Sequence, residues 1–213
     1  MIRGVIFDLD GVIVTTDDCH YRAWKRMADE EGIYFDRSIN ERLRGVSRMD
    51  SLSIILERAG KHYTEAQKEE MAARKNRYYV DLISALTPED ILPGALEVVN
   101  ALKAKGIRVA IGSSSRNTPV ILRQIGLSNT FDAVSDGNQI THSKPHPEVF
   151  LLAAKRLQLP PADCLVVEDA DAGIEAALAG GMKALGVGSA AKNPRATYRA
   201  ETLADANLTE ILQ

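Results

Sequence analysis

Apolar residues along the chain collect into short unbroken runs that stop at Gly, Asp or Ser: Gly4 to Asp8, Arg108 to Gly112, Ala133 to Ser135, Cys164 to Val167 and Ala184 to Val187. Runs of this length without polar alternation predict strands buried on both faces. Between them apolar positions recur three and four residues apart, as in Leu96, Val99, Leu102 and in Val149, Leu152, Ala153, Leu157, which predicts amphipathic helices. Strands alternating with helices read as an α/β fold built on a parallel sheet. One segment breaks the rhythm. From about Thr16 to about Thr87 there is no strand-like run, only helical periodicity: Tyr21, Trp24, Met27, Ala28, then Leu52, Ile55, Leu56, Ala59, then Thr64 as N-cap of a stretch rich in Glu, Gln, Lys and Ala. The expected organisation is an α/β core from residues 1–15 and 88–213, with an α-helical domain, residues 16–87, inserted after the first strand. The alternative is one continuous α/β domain with long helices. Pro88 and Pro93-Gly94 mark the return to the core, and the two short connections are the expected hinges.

Composition narrows the partners. The 213 residues carry 26 basic and 29 acidic side chains, a net charge of −3, so no basic surplus exists to displace counterions from a nucleic acid or to hold an anionic membrane. Only 5% of residues are aromatic, few for stacking on bases. Any bound anion must be held locally. Cys19 and Cys164 are far apart with no C-x-x-C spacing, which argues against a disulfide framework or a zinc motif. Asp8 and Asp10 interrupt the apolar Val5, Ile6, Phe7 before a signal-peptide core could form, and the expected location is the cytoplasm.

Four motifs carry chemistry. Phe7-Asp8-Leu9-Asp10-Gly11 sets two carboxylates at i and i+2 at the end of a strand, with Gly11 free to turn. Asp is also a common turn residue, so the motif alone reads equally as a strand ending. As a functional pair, one carboxylate can attack phosphorus while the other hands a proton to the leaving oxygen, and such an attack requires Mg²⁺ and positive side chains. Ser113-Ser114-Ser115-Arg116-Asn117 follows the second run and is either an anion site opening a helix or an N-cap with surplus polar residues. Ser143-Lys144-Pro145-His146-Pro147 has prolines that stiffen the approach to a helix and fix where Lys144 points, or leaves it in solvent. Val166-Val167-Glu168-Asp169 ends in two acids that are either Mg²⁺ ligands or helix-start residues. Each motif has a bland reading, but all four fall at strand ends of one α/β order, and that coincidence points to a shared site.

In this order DxDG, a strand-terminal Ser, a Lys and an acidic pair resemble the haloacid dehalogenase-like (HAD) phosphohydrolase superfamily, and the resemblance covers essentially the whole chain. It implies a HAD-like, Rossmann-like core with an inserted helical cap. Within the superfamily, FDLDGVI, His20 with Ala23-Trp24, ERLRGVSRMDSL, Arg74-Lys75-Asn76, LTPEDILPG, SSSRN, SKPHPEVF and EDADAGIEA resemble the phosphomutases that act on β-glucose phosphates. The resemblance implies Asp8 as the nucleophile that becomes aspartyl phosphate and Asp10 as general acid and base. Mg²⁺ would be held by Asp8, the Asp10 carbonyl and Asp169, with Glu168 close by. Ser113, Ser114 and Lys144 would hold the transferring phosphoryl group. Arg48 in the cap phrase Gly45-Val46-Ser47-Arg48, with Ser115, Arg116 and Asn117, would hold a second phosphate. His20 and Lys75 are implied to contact sugar and to position Asp10 on closure, while Trp24 reads as cap core.

The implied reaction interconverts β-D-glucose 1-phosphate and glucose 6-phosphate through β-glucose 1,6-bisphosphate. The runner-up is a Mg²⁺-dependent sugar-phosphate phosphatase, and a non-catalytic phosphosugar sensor is the reading from another class. The implied partners are small hexose phosphates, with no nucleic acid or membrane, and the implied state is a monomer. Two positions depart from the family pattern: Thr15 stands where Asp is usual, so that Thr15 or Asp17 must take over any hinge or capping role, and Met49 replaces a commonly acidic neighbour of Arg48. His62, His142 and His146 have no evident partner and are expected on the surface or in loops.

Overall fold

The computed structural model describes residues 1–212. Six strands, β1 (Gly4–Phe7), β2 (Arg108–Gly112), β3 (Ala133–Ser135), β4 (Cys164–Glu168), β5 (Lys183–Gly186) and β6 (Tyr198–Arg199), form one sheet in the order β3-β2-β1-β4-β5-β6, every pair parallel. The five expected strands are all present. The sixth has two residues, too few for a run to register.

The strands read as unbroken apolar runs because both faces are covered. Val5, Phe7, Val109, Ile111, Leu165 and Val167 join a cluster with α5 (Ala95–Ala104) and α6 (Thr118–Gln124). Ile6, Ala110, Val166 and Ala184 join a second cluster on the opposite face with α7 (Glu148–Arg156) and α8 (Asp171–Ala179). A short α9 (Leu208–Ile211) follows β6.

Between β1 and α5 the chain forms only helices: α1 (Asp17–Glu30), α2 (Arg37–Glu41), α3 (Arg48–Leu56) and α4 (Glu65–Ile83). Thr64 caps α4 as expected, in a capping box with Gln67. This segment has an apolar cluster of its own around Trp24, Met27, Phe35, Leu52, Ile55 and Met71. Ala23, Tyr79 and Ile83, nearer the sheet, belong to the main cluster instead. The helical segment therefore sits over the carboxyl ends of the strands while packing largely on itself.

Candidate active site

The centre of the site is built by strand ends. Order reverses at β1, which has β2 on one side and β4 on the other, the switch point where parallel sheets leave a crevice. Asp8 leaves β1 with its N–H donated to the Val167 carbonyl at 2.9 Å. Glu168, fully buried at the end of β4, accepts at Oε1 from the N–H groups of Asp169 and Ala170, each at 3.2 Å. The loop between β3 and α7 brings in Lys144, whose Nζ lies 2.6 Å from Asp8 Oδ1 and 2.7 Å from Glu168 Oε2. Burial opposes the charge on Lys144, but Asp8 and Glu168 outweigh it and hold the ammonium above its ordinary pKa. Glycines make room: a Cβ at Gly11 would overlap the Asp169 carboxylate and one at Gly173 would overlap that of Glu168, and Gly11 also turns the chain at φ +81°.

Asp8, Glu168 and Asp169 bring carboxylate oxygens within 4.8 Å of one another. Burial, then the neighbouring carboxylates, push the pKa of Asp169 upward, and burial does the same to Glu168 against the pull of Lys144. Carboxylates crowded in this way with one buried lysine suit a hard divalent cation that prefers oxygen. Glu168 already has both oxygens engaged by protein groups, whereas Asp169 has only a 3.4 Å contact to Arg44 Nη1.

Asp10 points elsewhere. Its Oδ1 accepts from Thr16 N at 2.6 Å and its Oδ2 from Thr16 Oγ1 at 2.7 Å, and Tyr79 Oη lies 2.9 Å from the same hydroxyl. Burial raises the Asp10 pKa to about 6, against the lowering effect of the Thr16 bonds, which suits proton transfer near neutrality. His20 Nε2 is 3.7 Å from Asp10 Oδ2, its Nδ1 is 2.9 Å from Lys75 Nζ, and its ring stacks on Tyr79. Lys75 is buried over the Trp24 and Tyr79 rings. Burial pulls both His20 and Lys75 well below their ordinary pKa values, with Lys75 adding to the effect on His20 and Arg48 to that on Lys75.

An anion pocket opens at the end of β2. Ser113 Oγ accepts from Ser115 N at 3.2 Å, and Ser115 Oγ accepts from Asn117 N at 3.1 Å. Ser114 Oγ is buried without a hydrogen-bond partner among the described residues. Across the gap Arg48, at the start of α3, is half-buried, and burial followed by the nearby Arg116 lowers its pKa. Two guanidiniums that repel each other across the gap suit an anion between them. The helical segment is closed onto the core: Asn117 Nδ2 donates to Asn76 Oδ1 at 2.9 Å, Ser143 Oγ donates to Asp50 Oδ2 at 3.1 Å, and a Cβ on Gly45 would lie 3.3 Å from Ala170 Cβ. A cavity of about 1090 Å³ lies between, lined by Asp8 and Asp10 and by Arg48, Arg116 and Asn117.

A profile of haloacid dehalogenase-like hydrolases matches residues 2–181. The chain belongs to this hydrolase family. It is 49% identical to the β-phosphoglucomutase of Bacillus subtilis (strain 168) over 189 residues, 88% of this chain and 84% of that protein. It is 30% identical to the phosphorylated carbohydrates phosphatase of Thermotoga maritima over 215 residues, 99% of this chain and 97% of that one. The crystal structure of β-phosphoglucomutase from Clostridium difficile matches with a TM-score of 0.94 at 40% identity, covering 99% of this chain and 96% of that chain.

In this family member Asp8, Asp10, Ser113, Ser114, Ser115, Arg116, Asn117, Lys144 and Asp169 all border the same cavity, together with His20, Lys75, Gly45, Val46, Ser47 and Arg48. Glu168 lies behind Lys144, shut off from solvent. Trp24 is part of the helical core, as expected, and also reaches the cavity wall. At the departure at position 15, capping is taken by neither Thr15 nor Asp17. The N-cap of α1 is Thr16; Thr15 is exposed at the cavity, and Asp17 accepts from Asn40 Nδ2 at 3.1 Å and meets Arg44 Nη2 at 3.5 Å. Met49 is exposed. His62 is a surface residue, but His142 and His146 do have a partner, since both face Glu148. Sequence reasoning passed over Thr16 and Tyr79, which hold Asp10, and Arg44 and Asp50, which tie the helices to the core. The only signal for Arg44 and Asp50 was their place inside ERLRGVSRMDSL.

Proposed function

We propose that this enzyme is a β-phosphoglucomutase, interconverting β-D-glucose 1-phosphate and glucose 6-phosphate. The observation that carries the reading is one cavity between helices and core lined by two sets of cationic and hydroxyl groups, Lys144 with Ser113 and Ser114, and Arg48 and Arg116 with Ser115, which suits a sugar phosphorylated at either end and turned around between steps. In the reading, residues 16–87 act as a cap on a core made of residues 1–15 and 88–213. Asp8 carries the phosphoryl group. The C6 hydroxyl of β-glucose 1-phosphate attacks that phosphorus, the Asp8 Oδ–P bond breaks, and Asp10 takes the hydroxyl proton, giving β-glucose 1,6-bisphosphate. The bisphosphate turns end for end. Asp8 then attacks the phosphorus at C1, the P–O1 bond breaks, and Asp10 returns the proton to O1 as glucose 6-phosphate leaves.

Lys144, Ser113 and Ser114 hold the transferring phosphoryl oxygens, whose charge must be matched as bonds to phosphorus loosen. Arg48 holds the other phosphate bidentately with Ser115, Arg116 and Asn117. Mg²⁺, held by Asp8, Asp169 and the Asp10 carbonyl with Glu168 anchoring Lys144 behind them, supplies charge neutralisation when bound. His20 and Lys75 steady Asp10 and the sugar hydroxyls. Closure of the cap keeps water from the acyl phosphate. The reading carries with it a cytoplasmic monomer working on small hexose phosphates, with no nucleic acid or membrane partner; among the described residues no helix is long and apolar enough to cross a membrane.

The test supplies β-glucose 1-phosphate, Mg²⁺ and a trace of the bisphosphate, and follows glucose 6-phosphate and inorganic phosphate together. Glucose 6-phosphate should accumulate far faster than phosphate. Phosphate release without isomerisation would replace the mutase by a sugar-phosphate phosphatase.

A further inference from the structure

One group of metal-ligating side chains lies outside the chemistry above. His142 Nδ1 is 3.0 Å and His146 Nδ1 4.0 Å from Glu148 Oε2, and the three donor atoms lie within 4.8 Å of one another. Tetrahedral zinc, with bonds of about 2.0 to 2.2 Å, sets neighbouring donors about 3.3 Å apart, so small rotations of the two imidazoles suffice to enclose an ion. The two rings are already neighbours, tilted by 35° with centroids 4.6 Å apart.

The loop around these groups is braced. Glu148 Oε1 accepts from Thr141 N at 2.9 Å and Oε2 accepts from His142 N at 2.8 Å, bonds that hold its carboxyl below the ordinary pKa. His146 Nδ1 accepts from Glu148 N at 3.3 Å, a long bond that the ring gives up when its Nδ1 lone pair turns to an ion. Pro145 and Pro147 flank His146, and its N–H closes a turn onto the Ser143 carbonyl at 3.0 Å. A ligating carboxylate that is itself hydrogen-bonded is the usual companion of histidine ligands.

We propose that His142, His146 and Glu148 form a second metal site, selective for a borderline transition ion of the zinc class and distinct from the Mg²⁺ position beside Asp8. Two imidazoles and one carboxylate match such ions, whereas Mg²⁺ demands oxygen ligands in octahedral array. His142 binds through Nδ1 after its ring proton moves to Nε2, ending the bond it now makes to Glu148. A water completes the fourth position, since the two histidines are 63% and 52% exposed. The ion would fasten the two ends of the segment that carries Ser143 and Lys144.

The experiment titrates Zn²⁺ into the Mg²⁺-saturated full chain against a chromophoric zinc indicator, and repeats it with Co²⁺ to read ligand-field bands in the visible. One equivalent of Zn²⁺ should bind in the presence of excess Mg²⁺, and Co²⁺ should give the intense bands of a tetrahedral site. The double variant His142→Ala, His146→Ala should lose that equivalent, with affinity weakened by about 100-fold or more. Because both residues are exposed the double variant should fold, and Glu148→Gln provides an independent readout in the same direction. Asp169→Asn should retain the zinc equivalent. The proposal is overturned if the wild-type chain takes up no zinc, if uptake is unchanged in the double variant, or if Asp169→Asn abolishes it, which would put the ion among the carboxylates at Asp8.

Discussion

Replacing Lys144 by Met tests the electrostatic core of the site. The substitution keeps most of the apolar stem and removes the one ammonium between Asp8 and Glu168. Lys144 and Glu168 have side-chain exposures of 1% and 0%, and that of Asp8 is 10%, so solvent screens little of the interaction. Removing one partner from such a buried cluster leaves uncompensated charge and should cost about 3 to 5 kcal/mol. At about 2 to 4 °C per kcal/mol for a chain of this size, Tm falls by about 6 to 20 °C.

The loss depends on pH with a definite sign. The Glu168 pKa is raised in the folded state, chiefly by burial, and without Lys144 it rises further. A raised carboxyl pKa means the folded protein binds more protons than the unfolded chain; this contribution is fully present below the ordinary Glu range and disappears as pH rises through the folded value. The gap between wild type and Lys144→Met should therefore be small near about pH 5 and large near about pH 8. Urea unfolding at both pH values without divalent metal measures it. A loss below about 1 kcal/mol at the higher pH, the range of surface pairs, would refute the reasoning, as would a loss that did not change with pH.

Asp8→Asn should abolish both turnover and incorporation of labelled phosphate, read on acid-quenched protein. Arg48→Ala should lower glucose 6-phosphate formation more than phosphate release, and Arg48→Lys should restore only part of it because an ammonium lacks the fork of donors; parallel product assays decide. Thr16→Val removes a hydroxyl bond that lowers the Asp10 pKa, so the acidic limb of the kcat/KM profile should move to higher pH, and an unchanged limb would remove Asp10 from the role of base. Gly173→Ala should displace the Glu168 carboxylate and with it Lys144, cutting kcat and lowering Tm together, whereas Gly181→Ala, with nothing within 4 Å of the added Cβ but a φ of +73°, should affect Tm alone.

Asp8, Ser113, Lys144 and Glu168-Asp169 were readable in the chain because each follows an abrupt end of an apolar run or directly precedes a Pro-His-Pro turn, and parallel strands must deliver their ends to one edge. The helical insertion was readable because period 3.6 replaced buried runs from Thr16 onward. The supports were not. Thr16 and Tyr79 meet only when α4 folds back over the start of α1, and Arg44 reaches Asp169 only after the helices settle on the core. No local pattern encodes such meetings. β6 escaped because two residues carry no periodicity, and the pairing of His142 and His146 with Glu148 escaped because two prolines hide the turn that joins them.

The central place of β1 has a consequence for biosynthesis. Phe7 pairs with Ile111 on one side and Val167 on the other, so the first strand made finds its second neighbour only after β4 has left the ribosome. Until then its N–H and C=O groups stay open on at least one edge, the kind of long-range pairing that slows folding. Helices α1 to α4 need no such wait, because α1 packs along α4 and their apolar side chains close on each other. The nascent chain thus can pack its helical segment before the sheet beneath it is whole, and Asp8, made almost first, gains its seat only when β4 arrives.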